Sequence, residues 1–350
     1  MLKENIKWKK FKIEDVLGNS NNSKAYHSEK LKFIVNDEEG IPYVTRTNLN
    51  NGLFSIVKYD DYKINPSNTI SLGAENAKYF YQPYSYITGN KMYYYNSSKI
   101  NKYSGLFITR CLNDSIKNCG FGYGMGLTGS RSDARSFMLP VNDKEEPNFK
   151  FMEEYMKSIL QKEIDCIKNY CKKTLCQIEY KEIEELNNKK WKDFNIKKIF
   201  DSVNRGKRLK KSDHKSGEVP YVSSTMMNNG VDNFISNKEG KRFNNCITIA
   251  NSGSVGASFY HQYEFIGSDH ITSLKNDKFN KYIYLFLTTI VSRIGNKYSF
   301  NREINDFRIS KEKILLPVDE NDNPDYEYME QYIKNIMFEQ YSKYLQFLEN

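Results

Sequence analysis

The chain has 350 residues, enough for two domains of ordinary size, and is 39% hydrophobic, 14% aromatic and 27% charged. That balance excludes a disordered or fibrous chain, and no apolar run approaches the roughly 18 residues that a bilayer crossing needs. Lys and Arg outnumber Asp and Glu by 52 to 43, a formal net charge of +9 that suits a polyanionic partner without demanding one.

The N-terminal stretch MLKENIKWKKFKIE lacks the apolar segment of a secretion signal. The first predicted element is a strand at Trp8-Lys-x-Phe. Strand-like runs follow at KLKFIV, IPYVTR, NTISL, YSYITG and KMYYY, rich in aromatic and β-branched residues and punctuated by turn dipeptides. After Leu139-Pro-Val comes a polar turn, then Pro147-Asn148, which supplies a helix start and an N-cap. Apolar residues then recur at Ile159, Ile164, Ile167, Cys171, Leu175, Ile178 and Leu186, mostly three or four apart, and predict a helix over 148–187. The same order returns with Trp191-Lys-x-Phe, VPYVSS, CITIANSG and HITSLK. NKYIYLFLTTIVSRI has the spacing of a short core helix. Leu316-Pro-Val and Pro324-Asp325 precede a second long helix, from about 325 onward, with Met329, Ile333, Ile336, Tyr341, Leu345 and Leu348 on its stripe.

This order is a duplication. PYVTRTNLNNGL at 42–53 and PYVSSTMMNNGV at 220–231 share seven of twelve residues, 178 positions apart. LPVNDKEEPNFKFMEEYMKSI at 139–159 returns as LPVDENDNPDYEYMEQYIKNI at 316–336, and NKYSGLFITRCL at 101–112 as NKYIYLFLTTIV at 280–291. The period far exceeds the roughly 20–50 residues of a solenoid unit. The expected fold is therefore α/β (α+β): two tandem mixed domains, 1–147 and 189–324, with spacer helices at 148–188 and 325–350. Each stripe is narrow and flanked by Lys, Glu, Gln and Asn, as in a coiled-coil seam. Antiparallel pairing would relate the two domains by a pseudo-twofold axis. About 37 helical residues at about 1.5 Å each span roughly 55 Å, the length of about 16 base pairs.

Reactive chemistry is hard to find. The six cysteines form no Cys-x-x-Cys pair and the four histidines no ligand spacing, so the thiols read as reduced and the protein as intracellular and metal-free. The glycines of NCGFGYGMGLTGS (118–130) follow no apolar strand and open no clear helix, which argues for a loop over a nucleotide or S-adenosylmethionine cradle. A self-contained methyltransferase using this loop is the weaker reading. There is no Asn-Pro-Pro-Tyr or Asp-Pro-Pro-Tyr tetrapeptide, no Gly-x-x-x-x-Gly-Lys-Ser/Thr loop and no Gly-x-Ser-x-Gly elbow.

Taken in order, twice over, these motifs resemble the specificity subunits of restriction–modification systems, of type I and type IIB kind. The Trp-Lys-x-Phe opening, the Pro-Tyr-Val strand with its Asn-Gly turn, and the Leu-Pro-Val…Pro-Asx boundary carry the resemblance over nearly the whole chain. It implies two target-recognition domains, each reading one half of a bipartite, asymmetric site in double-stranded DNA, and a non-catalytic, cytoplasmic subunit. Adenine-N6 methyltransferase (modification) subunits would dock on the spacer, with a restriction subunit as a further partner. No cofactor belongs to this chain; S-adenosylmethionine and Mg are expected on the partners.

Base reading needs donors and acceptors on rigid loops, with cations for phosphates. After Pro-Tyr-Val one half offers Thr45, Arg46, Thr47 and Asn48, the other Ser223, Ser224, Thr225 and Met226, while the frame around them is kept. SRSDAR, with Arg131 and Arg135, is matched loosely by KYSFNRE, with Lys297, Asn301 and Arg302. ANSGSVGAS could bring Ser254 to a phosphate. Ser, Thr and Asn after a strand equally serve as ordinary turn residues. A coiled-coil scaffold with duplicated protein-binding domains is the rival class.

Overall fold

The computed structural model describes residues 6–34, 40–122, 124–299 and 301–349. Residues 1–5, Val35 of the KLKFIV run, Tyr123 of the glycine-rich stretch and Phe300 of KYSFNRE lie outside them. The chain divides into two compact units, Met1–Ile167 and Lys168–Asn350.

The first unit runs β1 (Trp8–Lys12), α1 (Ile13–Leu17), β2 (Asn21–Asn22), β3 (Phe33–Ile34), β4 (Gly40–Val44), β5 (Leu53–Lys58), β6 (Thr69–Gly73), β7 (Lys78–Gln82), β8 (Ile87–Thr88), β9 (Met92–Tyr95), α2 (Lys102–Ile116), α3 (Gly129–Asp133) and β10 (Ser136–Pro140). It ends within α4 (Phe149–Leu175). The second unit takes up the end of α4 and continues with β11 (Trp191–Asn195), α5 (Ile196–Ile199), β12 (Ser202–Arg205), β13 (Ser216–Val222), β14 (Val231–Ile235), β15 (Arg242–Phe243), β16 (Cys246–Ala250), β17 (Ser258–His261), β18 (Phe265–Gly267), β19 (Ile271–Lys275), α6 (Lys281–Ser292), α7 (Asp306–Ile309), β20 (Lys313–Pro317) and α8 (Tyr326–Phe347).

The sheets repeat as the sequence does. In the first unit one sheet has the order β2-β9-β6-β7 and another β3-β5-β4-β8; in the second unit these become β12-β19-β16-β17 and β14-β13-β18-β15. The Pro-Tyr-Val strand is antiparallel to its hairpin partner and parallel to β8 or β18. The edges differ: β3 extends the sheet beyond β5, whereas β15 extends it beyond β18. The mixed two-domain fold expected from the sequence is the fold observed.

Each unit is closed by its first and last strands. Trp8 pairs with Pro140 across β1 and β10, and Trp191 with Pro317 across β11 and β20. The tryptophans stack on the core helix, Trp8 on Phe107 at 6.1 Å and Trp191 on Phe286 at 6.3 Å. Those phenylalanines meet the edges of Tyr155 and Tyr332 on the long helices, at 5.8 and 5.7 Å. Such pairs contribute about 0.5–1.5 kcal/mol each beyond the area they bury.

Polar contacts repeat with the same fidelity. Asn101 and Asn280 cap α2 and α6 with their Oδ1 atoms. Their Nδ2 atoms donate to Glu153 and Glu330 on the long helices, at 2.7 and 2.6 Å. Asn148 Oδ1 accepts from Phe151 N–H and Asp325 Oδ1 from Tyr328 N–H, the caps that the Pro-Asx pairs predicted.

The helix expected over 148–187 is shorter: α4 stops at Leu175. Beyond its last turn the chain is extended and runs antiparallel along α8 within the second unit. Asn335 accepts Lys181 N–H on Oδ1 (3.1 Å) and donates from Nδ2 to the Lys181 carbonyl (2.6 Å). Gln331 donates to the Glu179 carbonyl and the Tyr328 hydroxyl to that of Glu184. These side chains satisfy backbone groups that a continued helix would have paired internally. Ile178 is buried and Leu186 packs on the core, so the stripe marks burial there but not helix. Ile167 and Ile336, read as seam residues, are exposed. The 27 residues of α4 span about 40 Å rather than roughly 55 Å.

His261 lies buried on β17, with Nε2 2.8 Å from Thr248 Oγ1. Burial lowers its pKa to about 4. In the unfolded chain the value is near 6.5, so the unfolded state binds the extra proton first. Stability from this residue is full above about pH 6.5 and drains as pH falls toward 4. Lowering the pH from 7 to 5 is expected to cost about 2 kcal/mol at this residue. Denaturant melts of the full chain against His261→Gln measure it, and equal pH slopes for the two proteins would refute the assignment.

Candidate nucleic-acid interface

The turn after Pro-Tyr-Val is built identically in both units. Thr45 N–H donates to the Gly52 carbonyl at 2.8 Å and Ser223 N–H to that of Gly230 at 2.9 Å. Asn50, Asn51 and Gly52 all have positive φ (48°, 56° and 78°), as do Asn228, Asn229 and Gly230 (50°, 53° and 77°). Three left-handed residues in a row are tolerable only to Asn and Gly, which explains the retained Asn-Asn-Gly. Thr47 and Thr225 accept from the N–H two residues on, Leu49 and Met227. Thr225, a candidate reader by sequence, holds the turn through this bond. Asn48 and Met226 are exposed on this frame, while Thr45, Arg46, Ser223 and Ser224 are half-buried.

Two further turns join it. Gly89 N–H donates to the Val44 carbonyl and Ala74 N–H to that of Lys91; in the second unit Ser268 N–H bonds Val222 and Asn251 N–H bonds His270. The β6–β7, β8–β9 and Pro-Tyr-Val turns therefore cluster, and so do their counterparts. In the first unit Glu75 makes ion pairs with both Arg46 and Lys91, and Asn76 Nδ2 donates to Asn48 Oδ1 at 2.8 Å. Thr45, Arg46, Thr47, Glu75 and Asn76 line a shallow pocket of about 400 Å³. In the second unit Ser252 Oγ is 2.5 Å from His270 Nδ1, and Ser254 N–H donates to the Ser224 carbonyl at 3.1 Å. The structure brings Ser223, Ser224, Thr225 and Ser254 together.

The other candidates fall elsewhere. SRSDAR does not correspond to KYSFNRE. Arg131 Nη1 donates to the Gly126 carbonyl and Arg308 Nη1 to that of Glu303, so Arg131 matches Arg308. Ile13 N–H bonds the Arg135 carbonyl and Ile196 N–H that of Glu312, so Arg135 matches Glu312. The bridge between Ser299 and Arg302 matches the one between Gly122 and Met125. KYSFNRE is therefore the counterpart of the glycine-rich loop. Shared Ser and Arg content suggested the other pairing; backbone hydrogen bonds decide against it.

Arg135 is spent locally: Nη2 donates to the Ser115 carbonyl, and the guanidinium lies 5.0 Å from the Phe121 ring centre. Lys297 pairs with Glu312 at 2.8 Å. The Tyr298 hydroxyl also donates to Glu312, and burial together with that carboxylate pushes the phenol up to about 12. Arg302 covers the Tyr298 ring and Asn301 is exposed. Ile304 N–H bonds the Asn251 carbonyl, as Leu127 N–H bonds that of Ala74. The Ser299–Arg302 turn thus leads into the second cluster, and the segment before Arg131 into the first.

Sequence reasoning missed Glu75, Asn76, Lys91, Ser252 and His270, which reach the clusters only through sheet topology. It also missed a legible signal, the basic run Arg205-Gly-Lys-Arg-Leu-Lys-Lys. Arg205 Nε donates to the Asp269 carbonyl at 2.6 Å and Lys207 N–H to that of Gly267 at 3.0 Å. A Cβ on Gly206 would lie 2.0 Å from the Ser268 carbonyl oxygen, so only glycine lets the run lie against the turn that carries His270. Among the described residues no His, Cys, Asp and Glu group is arranged to hold a metal, and no helix is long and apolar enough to cross a membrane.

The profile of the family described as "Type I restriction modification DNA specificity domain" matches residues 5–169 and again 188–346. A relative from Heyndrickxia coagulans, described as specificity subunit S.BcgI of a type II restriction enzyme, is 30% identical over 305 residues, 85% of this chain and 86% of that protein. The crystal structure of a type I restriction–modification S subunit from M. genitalium matches 100% of this chain and 95% of that one, with a TM-score of 0.50 at 15% identity, a likeness of fold.

Replacing Lys207, Arg208, Lys210 and Lys211 by Ala is expected to weaken duplex DNA binding for all sequences alike. The slope of log K against log salt should fall by about 0.9 for each of these cations that meets a phosphate. Fluorescence-anisotropy titrations between low and moderate salt measure it, and an unchanged slope would remove the run from the interface.

Proposed function

The chain belongs to the family of type I restriction–modification DNA specificity domains and is a DNA sequence-specificity subunit of a restriction–modification system; from that premise we propose that it reads a bipartite, asymmetric target and does no covalent chemistry itself. The observation that carries the reading is the duplicated three-turn cluster: one backbone frame, held twice by the same hydrogen bonds, with different side chains at its tips. Two copies with identical tips would read identical half-sites. Arg46, Glu75 and Lys91 against Ser224, Ser252 and His270 support two different ones.

In this reading adenine-N6 methyltransferase subunits dock on the helical parts and bring S-adenosylmethionine, while a restriction subunit and Mg serve cleavage. The division fits a chain in which desolvation pushes the thiols of the half-buried Cys111 and the buried Cys246 up to about 12, which makes these two poor nucleophiles at neutral pH.

Co-expression with the modification subunits, followed by mapping of methylated adenines, tests the proposal. The expected motif is two short, unlike half-sites separated by unspecified bases. An uninterrupted or palindromic motif would overturn it.

A further inference from the structure

We propose that Met226, at the tip of the β13–β14 hairpin, is a specificity-determining residue that reads the C5-methyl group of a thymine in the major groove. Resting on the reading of the chain as a DNA-specificity subunit, this gives the second unit a definite chemical feature to recognise.

Hydrogen bonds of the turn fix which residues correspond. Thr45 and Ser223 donate N–H to the Gly52 and Gly230 carbonyls, and Thr47 and Thr225 accept from Leu49 and Met227 N–H. Between these anchors Asn48 and Met226 hold the same place. Asn48 Oδ1 accepts from Asn76 Nδ2 at 2.8 Å, which ties the amide of the first unit to the neighbouring turn. Met226 offers only a weak thioether acceptor and is 69% exposed. Its neighbour Met227 is 48% exposed and the matching Leu49 is 49%, so an apolar residue there is common to both units. What distinguishes the second tip is Met226.

A folding role does not account for Met226. The first unit closes the same turn with the same bonds around an asparagine, and a side chain this open buries little apolar area. Its surroundings supply a reason. The tip joins two antiparallel strands, Ser216–Val222 and Val231–Ile235, at one edge of their sheet, and the major groove of B-DNA admits a two-stranded ribbon. The basic run from Arg205 is tied to that ribbon: the Tyr221 hydroxyl donates to the Leu209 carbonyl at 3.2 Å. Ser268, on the turn against which the run lies, donates its N–H to the Val222 carbonyl. Cations for phosphates are thus anchored to the same strand that carries the tip. Of the groups that base edges present in the major groove, the thymine methyl is the apolar one. An unbranched, polarisable thioether chain without a donor is suited to pack on it.

The test uses the complex with its modification subunits. Selection from duplexes randomised over a central stretch gives the recognised motif. In the selected duplex each thymine is then replaced singly by deoxyuridine, which lacks the methyl and keeps every hydrogen-bonding group. By fluorescence anisotropy the wild-type complex should bind about fourfold more weakly when one particular thymine is replaced, the effect of one buried methyl group. Met226→Ala and Met226→Asn should bind the thymine duplex more weakly by a similar factor and no longer distinguish the two bases there. Met226→Leu, which stays apolar, should keep the distinction, and Asn48→Ala should leave it untouched. A motif without thymine, a wild-type complex indifferent to every methyl, or a distinction that survives in Met226→Ala and Met226→Asn overturns the proposal. A wild-type complex that enriches no sequence would defeat the specificity reading itself; an enriched motif whose methyls do not matter removes only the role of Met226.

Discussion

The constraint on which the rest depends is the closure of each unit by its own first and last strands. Trp8 pairs with Pro140 and Trp191 with Pro317, and each tryptophan stacks on a helix whose phenylalanine in turn meets a tyrosine on the long helix. This arrangement joins chain start, core helix and exit helix in one contact. Because the asparagine caps of α2 and α6 also donate to glutamates on the long helices, the exit direction is held by polar as well as apolar contacts. A rigid frame is what lets short turns carry discrimination, since a reader that yields to its ligand cannot reject a wrong one.

Much of this frame was legible in the sequence, because each repeated motif has a backbone reason to be repeated. Asn-Asn-Gly supplies three left-handed residues, Thr47 and Thr225 each close a turn, and Asn148 and Asp325 cap a helix. The reading surface was legible only in part. Arg46 and Ser224 stand within one duplicated block that repeats Pro-Tyr-Val and Asn-Asn-Gly, so their difference shows. Glu75 and Lys91 come from turns far along the chain, and only the sheet order brings them to Arg46.

Two expectations failed for physical reasons that periodicity and composition do not register. The stripe through Ile178 and Leu186 reports burial, but Asn335 offers the chain a donor and an acceptor that suit extended backbone, and the helix gives way. SRSDAR and KYSFNRE share residue types but not hydrogen-bond partners. The true counterpart of Arg131 is Arg308, and Arg135 is matched by an acid, Glu312, packed against the equivalent aromatic position. Side chains can trade a cation on a ring for a carboxylate on a phenol while the backbone stays put.

The same closure has a consequence for how such proteins diversify. With the entering and leaving strands of each unit hydrogen-bonded side by side, the ends of a whole recognition domain lie within one ribbon. Such a domain can be excised as a cassette and another seated in its place without altering the reach of the chain on either side. Exchanging such a block would replace the turns it carries and leave the closing ribbon in place.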